Sequence, residues 1–177
     1  MFLCEDGTEE ERWALSGPEW FDDLRRYWDD QRAGADLPDA DDLFLADLCE
    51  IMPNLMLAYF DPPHRAYRVE FAGATVRLLL GGELLGRYPE RAAPGTPLSW
   101  IGAGYAGAGR LVPAGIVQIR HRDLMATHLP YRDAQGRVSL ILTALARRPS
   151  RADSRPGGTV LPFPGPGSGS SGGRRDG

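Results

Sequence analysis

The sequence predicts an α+β fold in which a five-stranded antiparallel sheet carries short helices on one face and flanking helices at its N-terminus. Three observations predict it: an amphipathic helical stretch near the N-terminus, five alternating or apolar runs typical of strands, and glycine-broken helical segments between the second and third of these runs. The chain has 177 residues, enough for a single domain with a substantial core. We predict that this domain covers residues 16–148.

The N-terminal helix is predicted from the stretch SGPEWFDDLRRYWDD, in which Ser16 and Glu19 form a capping-box pattern. Its apolar face consists of aromatic and aliphatic side chains at helical spacing: Trp20, Leu24, Tyr27 and Trp28. We expect this face to cover the outer face of the sheet or to pair with its copy in a homodimer. The next segment, 37–53, has acids in its first turn and predicts a second helix, which ends at Pro53.

The strand predictions follow from period-2 patterns and short apolar runs bounded by glycine and proline. The predicted strands are residues 55–60, 66–72, 114–122, 123–133 and 136–146. Alternation in the second strand places Tyr67, Val69 and Phe71 on one face. Residues 74–80 and 95–109 predict short helices, although the second contains four glycines in its second half, each costing about 1 kcal/mol of helix stability against alanine.

Composition excludes several classes of function. Residues 1–50 contain 16 acidic residues and four arginines, a net charge of −12, which disfavours nucleic acid as a partner. The chain has no lysine, so Schiff-base chemistry is excluded, and its two cysteines form no C-x-x-C motif for zinc or redox chemistry. We find no signal-peptide pattern and no apolar run of membrane-spanning length, and we therefore expect a cytoplasmic protein without a membrane partner.

Both ends of the chain are predicted to be disordered: residues 1–15 are acidic, and residues 149–177 are rich in glycine, proline, serine and arginine. Deleting 149–177 should therefore leave the melting temperature nearly unchanged in a calorimetric scan. A drop of several degrees would instead show that the apolar stretch TVLPFP docks on the domain.

Five segments carry a resemblance to a known family, in this chain order: LRRYWDDQRAGADLP, DLFLADLCEIMPNLMLAYFDP, YRVEFAGATV, GGELLGRY and LPYRDAQGRVSLIL. Together they resemble the bacterial PAS-domain family, and within it a stand-alone sensory or regulatory subfamily with a tyrosine–tryptophan N-terminal helix. The resemblance covers residues 20–146. It implies a PAS-like sheet, with the short helices after the second strand wrapped over one face.

The resemblance also implies a function in signal transduction, by binding a small molecule or a signalling protein, without catalysis. In that layout, ligands lie between the short helices and the sheet, but the sequence does not identify a cofactor. Light-sensing relatives form a flavin adduct with a cysteine on a helix after the second strand, whereas Cys49 precedes the first strand. Flavin photochemistry is therefore not expected.

The candidate ligand-binding residues are drawn from the second strand, the short helices and the fourth strand: Phe71, Arg77, Trp100, Tyr105 and His128. Each also has a structural interpretation. Arg77 is either an anion contact or an outward-facing surface residue, and Trp100 and Tyr105 either line a pocket or pack in the core. His128 either faces the pocket as a haem or metal ligand or lies on an open sheet face or a dimer seam. We favour the second interpretation in each case; for His128, the reason is that no further metal ligands lie nearby in the sequence at a suitable spacing.

Two alternatives remain open. A small α+β-cone enzyme, isomerase-like in fold, would need an acid–base pair inside the cone, and its candidates on strands are Glu70, Asp123, His128 and Asp133. A structural adaptor with a filled core would bind no ligand.

Overall fold

The computed structural model describes residues 17–110 and 116–148, except that the side chains of residues 109 and 110 are not described. The predicted cap Ser16 and both predicted disordered ends lie outside the described residues. The described part of the chain contains three α-helices: α1 (Glu19–Arg32), α2 (Ala74–Leu80) and α3 (Pro97–Arg110). The strands are β1 (Leu55–Asp61), β2 (Ala66–Ala72), β3 (Val117–His121), β4 (Leu124–Arg132) and β5 (Val138–Arg147).

The five strands form one antiparallel sheet in the order β2-β1-β5-β4-β3. The first and last strands of the chain, β1 and β5, are thus neighbours in the centre, and α2 and α3 connect the two edges of the sheet. The α+β architecture predicted from the sequence is confirmed. In the turn between β4 and β5, Gly136 has a φ of 76°, in the left-handed region that favours glycine.

The inner face of the sheet is covered by α2, α3 and the segment between them. Its buried side chains include Tyr67 and Val69 from β2, Ile141 and Leu145 from β5, and Tyr105 from α3. These side chains pack against the helices and form one of the two apolar layers of the core.

The outer face of the sheet is covered by α1, as one of the two predictions for its aromatic face requires. Phe21, Leu24 and Trp28 are buried against Leu129 and Leu142. The indole Nε1 of Trp28 donates a hydrogen bond of 2.8 Å to the carbonyl of Pro130. This carbonyl is available because β4 extends beyond its pairing with β3, which ends at His128. The homodimer stays a prediction.

Replacing Trp28 by phenylalanine should destabilise the protein by about 1–2 kcal/mol, because the buried Pro130 carbonyl loses its donor. Trp20→Phe is the matched control, since Trp20 is only half-buried and packs edge-on against Phe21. Urea unfolding of both variants measures the difference. Equal free energies of unfolding for the two variants would show that the Trp28 hydrogen bond contributes nothing.

The predicted second helix is wrong: residues 37–53 form three short 3-10 turns, Ala40–Asp42, Leu45–Leu48 and Met52–Asn54. The backbone of this segment is held by its neighbours instead of by a helix. Arg132 donates from its amide to the Pro38 carbonyl at 2.9 Å and from Nε to Asp39 at 2.7 Å. The Tyr27 hydroxyl accepts from the Phe44 amide at 3.3 Å. The segment is therefore tied to β4 and α1 as a series of short turns.

The prediction that Tyr67, Val69 and Phe71 share one face of the sheet is wrong for Phe71. Leu57 of β1 pairs with Phe71, whereas the next residue, Ala58, pairs with Val69. Glu70 is therefore an extra residue in β2, a bulge that reverses the alternation. As a result, Phe71 packs with the outer-face cluster, on the side of α1.

Candidate functional site

His128 lies in the middle of β4, on the inner face and beneath α3. It follows Leu124 and Ala126 on that face and is completely buried. Its interpretation as a residue of an open sheet face or a dimer seam is therefore wrong. The sequence did not reveal this, because the pairing of α3 with this part of the sheet depends on tertiary packing.

A chain of hydrogen bonds connects His128 to α3. His128 Nδ1 lies 2.9 Å from Oγ1 of Thr143, its partner across the β4–β5 pair. Thr143 Oγ1 in turn donates to the hydroxyl of Tyr105 at 3.2 Å. In the arrangement in which Thr143 donates to Tyr105 and accepts from His128, the imidazole proton lies on Nδ1 and Nε2 is an acceptor.

That acceptor has no hydrogen-bond partner among the described residues. It faces the backbone of α3 at Gly104, where a Cβ atom would overlap Nε2 and lie 2.5 Å from Cδ2. Burial lowers the pKa of His128 from 6.5 to about 3, so the ring is neutral at physiological pH. A buried polar atom without a partner costs about 1–3 kcal/mol, which makes Nε2 an unusual feature in an otherwise apolar layer.

Aromatic rings surround this cluster. The Tyr105 ring packs edge-on against His128, with ring centroids 5.2 Å apart, and against Tyr67 at 5.7 Å. Tyr105 is completely buried, and burial raises the pKa of its hydroxyl. Tyr67 donates its own hydroxyl to the Val138 carbonyl at 3.1 Å. The interior site thus offers apolar and aromatic surface around His128 Nε2, and the Glu90 carboxylate, which accepts from the Tyr67 amide at 3.1 Å, lies near enough to help raise the pKa of the Tyr105 hydroxyl.

The five predicted site residues do not share one space. Tyr105 and His128 are in contact, whereas Phe71 lies on the outer face and Arg77 is exposed on α2. Trp100 is half-buried at the start of α3, where its Nε1 donates to the Arg120 carbonyl at 3.1 Å and its ring lies 5.6 Å from that of His121.

The prediction missed two residues of this cluster, Thr143 and Gly104. Thr143 could not have been found by counting outward from the turn at Gly136, because the register between β4 and β5 shifts by one residue between Tyr131 and Arg132. Gly104 could not have been found either, since only the packed structure shows that its missing side chain makes room for the imidazole.

The acid–base candidates of the cone-enzyme alternative lie apart from His128. Glu70 pairs with Arg68 at 2.6 Å, Asp123 with Arg147 at 2.9 Å and Asp133 with Arg137 at 3.0 Å. No group of three or more histidine, cysteine, aspartate or glutamate side chains within residues 17–110 and 116–148 could hold a metal ion. In the same ranges, we find no helix with the length and apolar character needed to cross a membrane.

The sheet order and the helical inner layer define a PAS-like fold. Neither a protein-family model nor a curated protein matches the sequence. Solved structures similar to this chain are PAS and light-oxygen-voltage (LOV) domains. One is a LOV domain studied with a flavin analogue, with 14% identity and a TM-score of 0.41, covering 62% of this chain and 87% of that domain.

Two other similar structures have comparable scores. The PAS domain of Bordetella pertussis BvgS is 16% identical, with a TM-score of 0.35, and the match covers 58% of this chain and 86% of that domain. A fungal LOV domain photoreceptor is 15% identical, also with a TM-score of 0.35, and the match covers 80% of this chain and 99% of that protein. Sequence identities and TM-scores this low do not allow a ligand or an activity to be inferred for this protein from those structures.

Proposed function

We propose that this protein is a PAS-type regulatory module of the stand-alone kind, which acts by binding and not by catalysis. Its ligand is a small, neutral and largely apolar molecule that carries one hydrogen-bond donor. The ligand contacts Tyr105 and His128 between α3 and the sheet, in the cytoplasm.

The observation that carries this proposal is the buried Nε2 of His128, which accepts no hydrogen bond among the described residues. A ligand donor at Nε2 would remove the cost of leaving that atom unpaired. The surrounding rings of Tyr67 and Tyr105 supply apolar surface, as is usual in small-molecule sites. The Glu90 carboxylate, near enough to help raise the pKa of the Tyr105 hydroxyl, favours a neutral ligand over an anion.

Access to Nε2 requires a movement of α3, and the sequence of α3 lowers the intrinsic stability of this helix. The helix contains four glycines, each about 1 kcal/mol less favourable than alanine in a helix. Local opening is easiest in elements of low intrinsic stability. Binding would thus change the position of α3 relative to the sheet, which is the change that a partner could detect.

Matched pairs of probes test the need for a donor. Indole and phenol should raise the melting temperature of the full chain, whereas 1-methylindole and anisole, which lack the donor, should not. Occupancy at a hundred times the dissociation constant stabilises a protein by about 2.7 kcal/mol, a readily measured shift. In His128→Phe, all four probes should change the melting temperature to the same extent. Equal shifts from methylated and unmethylated probes in the wild type would contradict the proposal.

We also propose that the module works as a homodimer or with a signalling protein. Exposed apolar side chains support this, notably Leu78, Leu85 and Phe44, which are 82%, 57% and 61% exposed. Sedimentation equilibrium of the full chain measures its mass in solution. A monomer at all concentrations would leave the signalling protein as the partner and contradict the homodimer.

A further inference from the structure

A cavity lies at the surface between α2 and the start of α3, and we name it the α2–α3 cleft. Its volume is about 400 Å³, within the range of small-molecule sites, and its lining comes from residues 80–98. We propose that the α2–α3 cleft binds a small amphipathic monoanion, a carboxylate with an apolar body, through Arg87. This site is separate from the interior around His128 and takes a ligand of opposite character.

The apolar wall of the cleft is formed by three leucines: Leu80, Leu84 and Leu98. They are 6%, 2% and 7% exposed and belong to the inner-face core. Because the core holds these side chains, the wall is rigid and already formed before a ligand arrives. An apolar body placed against it gains about 25 cal/mol for each Å² removed from water.

The cation of the cleft is Arg87, whose guanidinium is exposed and has no hydrogen bond or ion pair with any described residue. Its backbone, by contrast, is fixed: the Val69 amide donates to the Arg87 carbonyl at 2.9 Å, and the Gly86 amide donates to the Val69 carbonyl at 2.8 Å. The backbone of this segment thus pairs with the edge of β2. A cation on a fixed backbone, with its donors unused, is suited to bind a carboxylate in a bidentate manner.

The second arginine of the cleft, Arg91, is already engaged. Its guanidinium stacks over the Tyr88 ring at 5.2 Å and donates to the His64 carbonyl, while Tyr88 donates its hydroxyl to Asp61 at 2.5 Å. Glu83 adds an exposed carboxylate to the lining. With one free cation and one nearby acid, the cleft favours a single negative charge and disfavours a phosphate-like dianion.

The test uses sodium octanoate and 1-octanol, which share the apolar chain and differ in the charge. Calorimetric titration of the full chain should show octanoate binding at least tenfold more tightly than octanol. Arg87→Gln should weaken octanoate binding about tenfold and leave octanol unchanged, because the exposed side chain supports nothing in the fold. Arg77→Gln, an exposed arginine of α2 outside the cleft, is the matched control and should bind as the wild type does.

Amide chemical shifts locate the bound octanoate: changes should cluster at residues 80–98 and be absent at Gly104. In Ala93→Trp, a bulky ring occupies the cleft, and both probes should lose binding. Equal affinities of octanoate and octanol, unchanged binding in Arg87→Gln, or shifts centred on Gly104 would each overturn the proposal. Because the interior proposal is tested with neutral probes and His128→Phe, either site can fail without the other.

Discussion

Alanine at Gly102 should destabilise the protein by at least about 2 kcal/mol, although alanine is the better helix former. A Cβ atom at this position would lie 2.6 Å from the Glu90 amide nitrogen and 2.5 Å from the Pro89 carbonyl carbon. Both atoms belong to the backbone of the turn Pro89–Arg91, which cannot move aside as a flexible side chain can. Overpacking of this kind costs about 1–3 kcal/mol or more.

Gly107 in the same helix is the matched control. A Cβ atom there would lie 3.5–3.6 Å from Val117, an ordinary van der Waals contact. Gly107→Ala should therefore stabilise the protein by up to about 1 kcal/mol through helix propensity alone. Gly104→Ala should destabilise it, because its Cβ would displace the ring of His128.

Urea unfolding of the three variants measures these effects against the wild type. The order of stability should be Gly107→Ala, wild type, then Gly104→Ala and Gly102→Ala. Equal changes in the free energy of unfolding for Gly102→Ala and Gly107→Ala would show that both glycines affect only helix propensity. That result would contradict the close contact between α3 and the turn Pro89–Arg91.

Acid should destabilise the wild type more than His128→Phe. Burial lowers the pKa of His128 in the folded protein to about 3, whereas the unfolded chain has the ordinary value of about 6.5. Between these values, the unfolded state binds more protons than the folded state, so stability falls as the pH falls. The loss is about 1.4 kcal/mol per pH unit, or roughly 2–3 kcal/mol from pH 6.5 to pH 4.5. Above pH 6.5, this term is absent.

Phenylalanine at position 128 removes the titrating group and keeps the ring. Lowering the pH from 7 to 4.5 should reduce the free energy of unfolding of both proteins. The reduction should be about 2–3 kcal/mol smaller in His128→Phe than in the wild type. Asp61 and Asp133 also have lowered pKa values, held by hydrogen bonds from the Tyr88 hydroxyl and the Arg137 amide, but they contribute equally to both proteins. Parallel pH dependence in the two proteins would show that His128 is accessible to water.

Most of the fold could be predicted from the sequence, because its strands and short helices have strong local patterns. The bounds predicted for β2 agree with the structure, and those of β1, α2 and α3 differ by at most two residues. Segment 37–53 could not be predicted, because its acids and apolar side chains suit a helix, while Arg132 and Tyr27, distant in sequence, hold it in another form.

The site was less predictable than the fold. Periodicity correctly placed His128 in a strand and Tyr105 in a helix, but it does not show which helix covers which strand. Phe71 shows a further limit, since one bulge at Glu70 reverses the face of every later residue in the strand. Arg87, the free cation of the α2–α3 cleft, lies in a loop without a pattern, and only its unused guanidinium in the structure points to it.

Native mass spectrometry tests the central claim most directly, namely that the interior around His128 takes up a small molecule. The full chain and His128→Phe are each incubated with a filtered extract of cellular metabolites and desalted under non-denaturing conditions. The proposal predicts an added mass on the wild type that is lost on denaturation and absent from His128→Phe. Identical spectra for the two proteins would contradict it and favour an adaptor with a filled core.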